Sequence, residues 1–469
     1  MAAETTLNLW MDVMRHLEPV IADHERLFDA WAAGGVDGLV IGPMAFEENV
    51  ATFDPDARIY RRLGLEPPEP PSQSLPEKRA LLDRALQAAK DRGWKVWIFQ
   101  PGSGAPPVPG AHGSIIVDDR ARAAYCARIV DTMSHYPMVD GAVLDGPEWG
   151  YEISPEHMVG PAGPRSYLFS DLPELAAPAC ATLGYDYPAL VRAKDRLYAR
   201  LHSLSDREVR LHGGRDGGLL GAFGLLGGDP DLARWIAFRM DALTHCYAAV
   251  RETVEANSAR KFLLAAGPRS AAFAPLCGYD LGRLATILDV LLPKHYVWHR
   301  GFDGMYGTVA RYVATLTRWN PGLSEVAALD VVGALFGLDL PGVTSLADFD
   351  EGFPQEFFDR VVTRESARVL AATDDPDRVV PWVDAGRRPH EGDPVSAGDL
   401  GRLLDATARA GLRRFIYHHH GNLTPGEWAV ISRRCGTPWQ TMAQPPLHPN
   451  LARNSQAMTG YYPPDLPAL

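Results

Sequence analysis

Short β-branched or aromatic runs alternate along this chain with longer stretches whose apolar positions recur at helical spacing. The first run is Thr6–Val13, and a helix is expected from about Pro19 to Ala33, stopped by Gly34-Gly35. Val36–Met44 reads as the second strand. The proline-rich segment EPPEPPSQSLP follows it and cannot be regular structure. Ser74 with Glu77 reads as a capping box opening a helix to Arg92, with Gly93 beyond it. The third strand is Trp94–Gly102, with a helix from Asp118 to about Tyr136, and the fourth is Val139–Asp145. A long excursion reaches Pro230, and a helix from there to Asn257 returns to a fifth strand, KFLLAAGPR. The sixth is Asp289–His299, followed by a long helical region from about Met305 to Ala372. The seventh is Arg378–Gly386, with a helix from Ser396 to Ala410. The eighth is Arg413–Asn422, and Thr424 with Glu427 caps a last helix to about Arg434.

Eight strand–helix pairs imply a parallel sheet closed into a single (β/α)8 barrel, an α/β fold. A doubly wound open sheet is the rival, and it would need a glycine fingerprint at a strand–helix turn that is missing here. The surplus length sits after strands two, four and six, in loops of the kind that build active sites. We expect one catalytic barrel over residues 1–440, an inserted loop region at about 150–230, and a C-terminal extension, 441–469, packed on the barrel. Within the insertion, GGRDGGLLGAFGLLGGD is so rich in glycine that it reads as a mobile or tightly turning loop, able to serve as a lid.

Catalytic groups of such barrels stand at the C-terminal ends of strands. Those ends carry Asp12, then Met44 with Glu47 and Glu48, Gln100, Asp145 and Glu148, Arg269, the run Lys294-His295-Tyr296, Asp384 and Arg387, and finally His418, His419, His420 and Asn422. Trp149, Tyr151, Trp298 and Trp382 are interleaved among them. Paired carboxylates beside flat aromatic rings suit sugar chemistry: two acids act on the glycosidic bond, and rings stack on the apolar face of a pyranose. Glu148 is the expected general acid/base, desolvated beside Trp149. Asp384 is the expected nucleophile or base, with Asp145 as the competing partner carboxylate. Asp12, Gln100, Trp149, Tyr151, Arg269, Lys294, His295, Tyr296, Trp298, Trp382, Arg387, His418, His420 and Asn422 are expected to line the substrate. The three cations in that set leave room for an acidic sugar.

One stretch carries a resemblance. In VDGAVLDGPEWGYE, Val139 to Glu152, Asp140-Gly141 and Asp145 resemble the fourth strand of chitinase-type glycoside hydrolases, DGxDxDxE, whose last residue is the catalytic glutamate. Val143 replaces the middle acid, and Glu148 falls one residue late. The stretch is more similar to the DGxxxDGPE-like strands of barrel proteins classed as glycoside hydrolases of undetermined specificity. PKHYVW and WVDAG fit their pattern. An acid after strand four and another at strand seven also resemble the large retaining glycosidase superfamily, where those positions are Asn-Glu and Glu rather than Pro147-Glu148 and Asp384. The resemblance implies a barrel glycosidase acting on a small carbohydrate or glycoside by two-carboxylate catalysis, with a retaining outcome and no cofactor.

Composition adds exclusions. Net charge is −12 over 469 residues, spread along the chain, which argues against nucleic-acid and anionic-membrane partners. Five scattered cysteines without a CxxC argue against a disulfide framework or a thiolate zinc site. The opening MAAETTLNLWMDVMRHLEP has no basic stretch followed by an apolar one, so a cytoplasmic protein is expected, with a homo-oligomer left open. Along a strand His418 and His420 would point one way and His419 the other. With His295, Asp384 or Glu148 they could hold a divalent metal. A metal-dependent sugar isomerase or lyase is therefore the first alternative, although no metal site is assigned. A non-catalytic carbohydrate-binding barrel is the second.

Overall fold

The computed structural model describes residues 7–13, 17–42, 53–69, 76–101, 114–153, 159–160, 163–164, 167–170, 174–299, 301, 304–387 and 395–440. Ser74, Met44, Glu47, Glu48 and the segment 441–469 lie outside them. The barrel strands are β1 Asn8–Val13, β2 Val36–Ile41, β3 Lys95–Pro101, β4 Gly141–Asp145, β5 Leu263–Ala266, β6 Val290–Leu291, β7 Trp382–Asp384 and β8 Arg414–His418. Parallel ladders join β6 through β5, β4, β3, β2 and β1 to β8 and β7. The ring closes between β6 and β7, where Leu291 bridges Val379 and Lys294 bridges Trp382. Hydrogen bonds from Val380 N to Leu291 O at 2.9 Å and from Trp382 N to Pro293 O at 2.8 Å complete the join. The sheet is therefore the expected closed (β/α)8 barrel. Strand β6 is far shorter than the expected run because Pro293 has no N–H to donate in its middle.

Helices cover the ring. They include α1 His24–Ala33, α2 Pro76–Asp91, α3 Asp119–His135, α4 Pro230–Asn257, α5 Leu281–Ile287, α6 Thr363–Leu370, α7 Ala397–Arg409 and α8 Pro425–Cys435. Their starts follow the sequence. Asp118 caps α3 through the Arg120 and Ala121 amides, Ser396 caps α7, and Thr424 with Glu427 forms the expected capping box on α8.

The barrel floor explains two glycines. Trp10 of β1 and Trp97 of β3 point inward, with ring centroids 5.4 Å apart. A Cβ on Gly38 would come within 2.5 Å of Trp10, and one on Gly141 within 2.4 Å of Trp97 and 2.6 Å of the Leu263 carbonyl. Each strand start reads Val-Asp-Gly. The aspartates tie the floor together: Asp37 accepts from Arg414 at 2.7 Å, and Asp140 accepts from Lys90 at 2.7 Å and from Val96 N at 2.8 Å.

The insertions after β4 and β6 pack on each other. Asn320 ends the helix Met305–Trp319 and bonds Leu201 O at 2.7 Å and Leu204 N at 3.0 Å. The glycine-rich segment corrects the expectation of a mobile loop. It forms a 3-10 turn, Gly214–Gly217, and a helix, Gly218–Leu225, beside the helix Glu325–Phe336. Its glycines are spaced for a helix face. A Cβ at Gly217 or Gly221 would meet the His212 carbonyl at 2.0 or 2.3 Å, and one at Gly224 would meet the His212 ring at 2.7 Å. No helix among the described residues is long and apolar enough to cross a membrane.

Gly141→Ala should destabilise the fold by about 1–3 kcal/mol, since part of the obstruction is backbone and cannot swing aside. Urea denaturation should show a lower midpoint at unchanged slope. A midpoint equal to that of the parent chain would contradict this packing.

Candidate active site

Because Trp10, Trp97 and Arg414 meet inside the barrel, the same parity carries Asp12, Phe99, Asp145, Asp384 and His418 to the axis side one or two steps further along their strands. Trp382 lies edge-on to His418 at 5.1 Å and to Phe99 at 6.3 Å, which confirms that parity across the mouth. Tyr296 stacks on His418 at 6.0 Å.

Two groupings of charge share this mouth. In the first, His418 Nδ1 donates to the Asp12 carboxylate, and His418 Nε2 lies 3.7 Å from Asp384 Oδ2. Asp384 Oδ1 accepts from Gly386 N at 2.7 Å, while Oδ2 has no hydrogen-bond partner among the described residues. Burial pushes the Asp384 carboxyl up to about 7 against the opposing pull of His418 and of the Gly386 and Arg387 amides, and the nearby Asp12 charge adds to the rise. In the second grouping, Lys294 Nζ lies 3.0 Å from Asp145 Oδ1. Gly267 leaves the room for that contact, since its Cβ would stand 3.0 Å from the same oxygen.

Glu148 stands differently from expectation. After Asp145 the chain turns through Gly146, at φ 92°, and Pro147. Both Glu148 oxygens then accept from Arg269 Nε at 3.0 Å, and Oε2 also accepts from the Tyr279 hydroxyl at 3.2 Å. With both oxygens engaged, Glu148 clamps the loop after β4 to the loop after β5. Trp149 and Tyr151 continue that anchoring. Trp149 is buried against Phe238, with its indole N–H on the Arg239 carbonyl at 3.0 Å and the Arg239 guanidinium over its ring. Tyr151 stacks on Phe273 beneath Arg269, and Tyr312 donates to its carbonyl. Glu152 and Arg311 form a buried pair at 2.7 Å that joins the same segment to the helix Met305–Trp319. The hydrophobic strand thus runs into two carboxylates with separate duties, one facing the barrel axis and one fastening a loop.

Several expected substrate contacts are not brought to the mouth. Gln100 alternates with Trp97 and Phe99, so its side chain faces α3 rather than the axis. Trp298 is fully buried against Tyr296. Arg387 pairs with buried Glu427 at 2.9 Å and with the Asn422 carbonyl at 2.9 Å, which fastens the end of β7 to α8. The strand alternation expected for the histidines fails because β8 stops at His418. His420 lies in a 3-10 turn, His420–Asn422, with its Nδ1 on the Asp12 carbonyl at 3.1 Å and its ring 6.3 Å from Trp31 of α1. His419 Nδ1 accepts from Gly421 N at 3.1 Å. Lys294 and Tyr296 reach Asp145 and His418, so His295 falls on the opposite side of the extended chain. His295 is buried, neither ring nitrogen has a hydrogen-bond partner among the described residues, and burial pushes its imidazole down to about 4. Among the described residues no group of three or more His, Cys, Asp or Glu is arranged to hold a metal ion.

Phe99 and Tyr279 are among the mouth and anchor residues that escaped sequence reasoning. Phe99 could have been found from strand parity once Trp97 was set inward. Tyr279 carried no local signal, because it reaches Glu148 only through the folded loop after β5.

The fold and its mouth can be set beside solved structures. The glycoside hydrolase domain of PgaB (BpsB) from Bordetella bronchiseptica is similar at 12% identity, over 91% of this chain and 99% of that one, with a TM-score of 0.47. The catalytic domain of beta-amylase from Paenibacillus polymyxa is similar at 11% identity, over 94% and 100%, with a TM-score of 0.44. A chitinase from Chromobacterium violaceum is similar at 9% identity, over 92% and 100%, with a TM-score of 0.37. These neighbours are glycoside hydrolases; at such identities and scores the barrel assignment rests on strand order and register.

Removing Arg269 should leave Glu148 as a buried, uncompensated charge. Arg269→Ala should cost about 3–5 kcal/mol, and much of that should return in the Arg269→Ala/Glu148→Gln double variant. Strictly additive effects in urea denaturation would contradict the clamp. No protein-family model and no curated protein matches this chain.

Proposed function

We propose that this chain is a glycoside hydrolase whose proton donor is Asp384 and whose second carboxylate, acting as nucleophile or base, is Asp145. The supporting observation is that two axis-facing carboxylates of one mouth sit in opposite surroundings. Asp384 is buried, is raised to about 7, and has one oxygen without a hydrogen-bond partner among the described residues. Asp145 is more exposed and faces the Lys294 cation at 3.0 Å. Such a split is how one site keeps an acid and a base at the same pH. Asp12 holds His418 with its Nδ1 proton inward, and His418 turns Nε2 toward Asp384. Phe99, half-buried at the same mouth, offers ring surface to a pyranose, with Tyr296 and Trp382 buried behind the carboxylates. Glu148, with both oxygens engaged, serves as a loop clamp rather than a proton donor.

The same contacts favour a neutral sugar over an acidic one. Lys294 faces Asp145, Arg269 faces Glu148 and Arg387 faces Glu427. Each strand-end cation already answers a carboxylate.

A panel of aryl glycosides, neutral sugars and uronides together, tests this reading. A neutral glycoside should be hydrolysed, and Asp384→Asn should lower kcat by about 10²–10⁴-fold on poor leaving groups, with a smaller loss on activated ones. Protonated Asp384 is the active form. Activity should therefore be held below its pKa and fall as pH rises through about 7. Asp145→Asn should lose turnover on both leaving-group classes. Failure to hydrolyse any glycoside would overturn the proposal. So would loss of turnover in Glu148→Gln with Asp384→Asn unimpaired.

A further inference from the structure

Away from the barrel mouth, the two insertions enclose a second concavity. The helix Gly218–Leu225, the start of α4 and the end of the helix Glu325–Phe336 border a groove of about 620 Å³. Its volume is in the range of small-molecule sites. Its walls are Leu219, Phe223, Leu226, Leu232, Ile236 and Leu335. Behind it lies a smaller void of about 70 Å³, and Leu226, Leu232, Ile236 and Leu335 line both. The void is apolar. Its one hydroxyl, on Tyr312, is already spent on the Tyr151 carbonyl. Water gains nothing in such a space, whereas a hydrocarbon tail does.

The rim is cationic on a chain of net charge −12. Arg215, Arg360 and Arg364 line the groove together with Asp229 and Asp339. Both acids are engaged, Asp229 by Arg196 at 2.6 Å and Asp339 by Arg360. Arg215 lies 3.3 Å from Asp330. Arg364 is exposed and has no hydrogen bond or ion pair among the described residues. From Gly217 to Gly228 the chain carries no charge, and Leu219 and Leu220 stand 85% and 83% exposed at the lip. An apolar trough with a deeper apolar pit and a surplus guanidinium at its edge has the polarity of one ligand class.

We propose that this groove binds a medium-chain aliphatic carboxylate, with its head at Arg364 and its tail crossing the Leu226, Leu232, Ile236 and Leu335 partition into the inner void. The site is separate from the carboxylates of the barrel mouth and does not rest on the glycosidase reading. Filling both spaces would tie the helix Gly218–Leu225 to α4 and to the helix carrying Tyr312.

Calorimetric titration of the full chain with hexanoate, octanoate, decanoate and dodecanoate, each below its micelle concentration, tests it. Affinity should rise about fourfold for each added methylene until the inner void is filled. Decanol should bind at least tenfold more weakly than decanoate, and Arg364→Glu should weaken decanoate at least tenfold. Ala233→Trp, at an exposed position on the groove wall, should abolish binding with the melting temperature kept. No binding of any chain length, decanol equal to decanoate, or undiminished binding by Ala233→Trp would overturn the proposal. So would a concentration-dependent dimer, seen by sedimentation, that Ala233→Trp dissociates, because the face would then be covered by a second copy.

Discussion

Closure of the sheet between β6 and β7 is the constraint on which the site depends. Pro293 breaks the β6 ladder, and pairing is recovered at Lys294, opposite Trp382. With the ring closed, each strand has one side facing the axis and one facing helices, and the parity is common to all. Trp10 and Trp97 fill the floor, Gly38 and Gly141 yield space to them, and further along the inward side β1, β4, β7 and β8 carry polar groups. Asp12, Asp145, Asp384 and His418 therefore face the same end of the barrel axis although the chain separates them by as many as 406 residues. A one-residue slip of any strand would send its carboxylate into a helix interface.

The chemistry at that opening follows from unequal surroundings of like groups. Asp145 has a cation beside it and partial access to water. Asp384 has burial, the backbone amides of Gly386 and Arg387, and a histidine at 3.7 Å. Glu148, a few residues beyond Asp145, is fully occupied by Arg269 and Tyr279. Three carboxylates of similar intrinsic acidity thereby meet three different surroundings, and the proposed division of roles rests on those neighbours rather than on the side chains themselves.

Much of the barrel was legible in the chain. The strand–helix alternation and the caps at Asp118, Ser396 and Thr424 are local signals, and the caps stand where the sequence places them, whereas β6, β7 and β8 are several residues shorter than the runs that announce them. Asp145 and Asp384 were legible as strand-end acids. Three things were not. Strand parity needs a reference residue, so Gln100 could not be turned away from the axis until Trp97 was known to face it. The partner of a carboxylate lies far off in sequence, so nothing near Glu148 announced Arg269 or Tyr279. The glycines of 213–228 were read for their freedom, whereas Gly217, Gly221 and Gly224 are small because His212 lies against one helix face. In each case the deciding contact is tertiary and overrides the local pattern.

The measurement that bears most directly on this account is the titration of the Asp384 side-chain carboxyl carbon by NMR, assigned by its loss in Asp384→Asn. A midpoint near about 7 is predicted, from burial that outweighs the His418 contact and the amide donors. A midpoint in the ordinary aspartate range, about 4, would contradict the account, because Asp384 would then hold no proton to give at neutral pH.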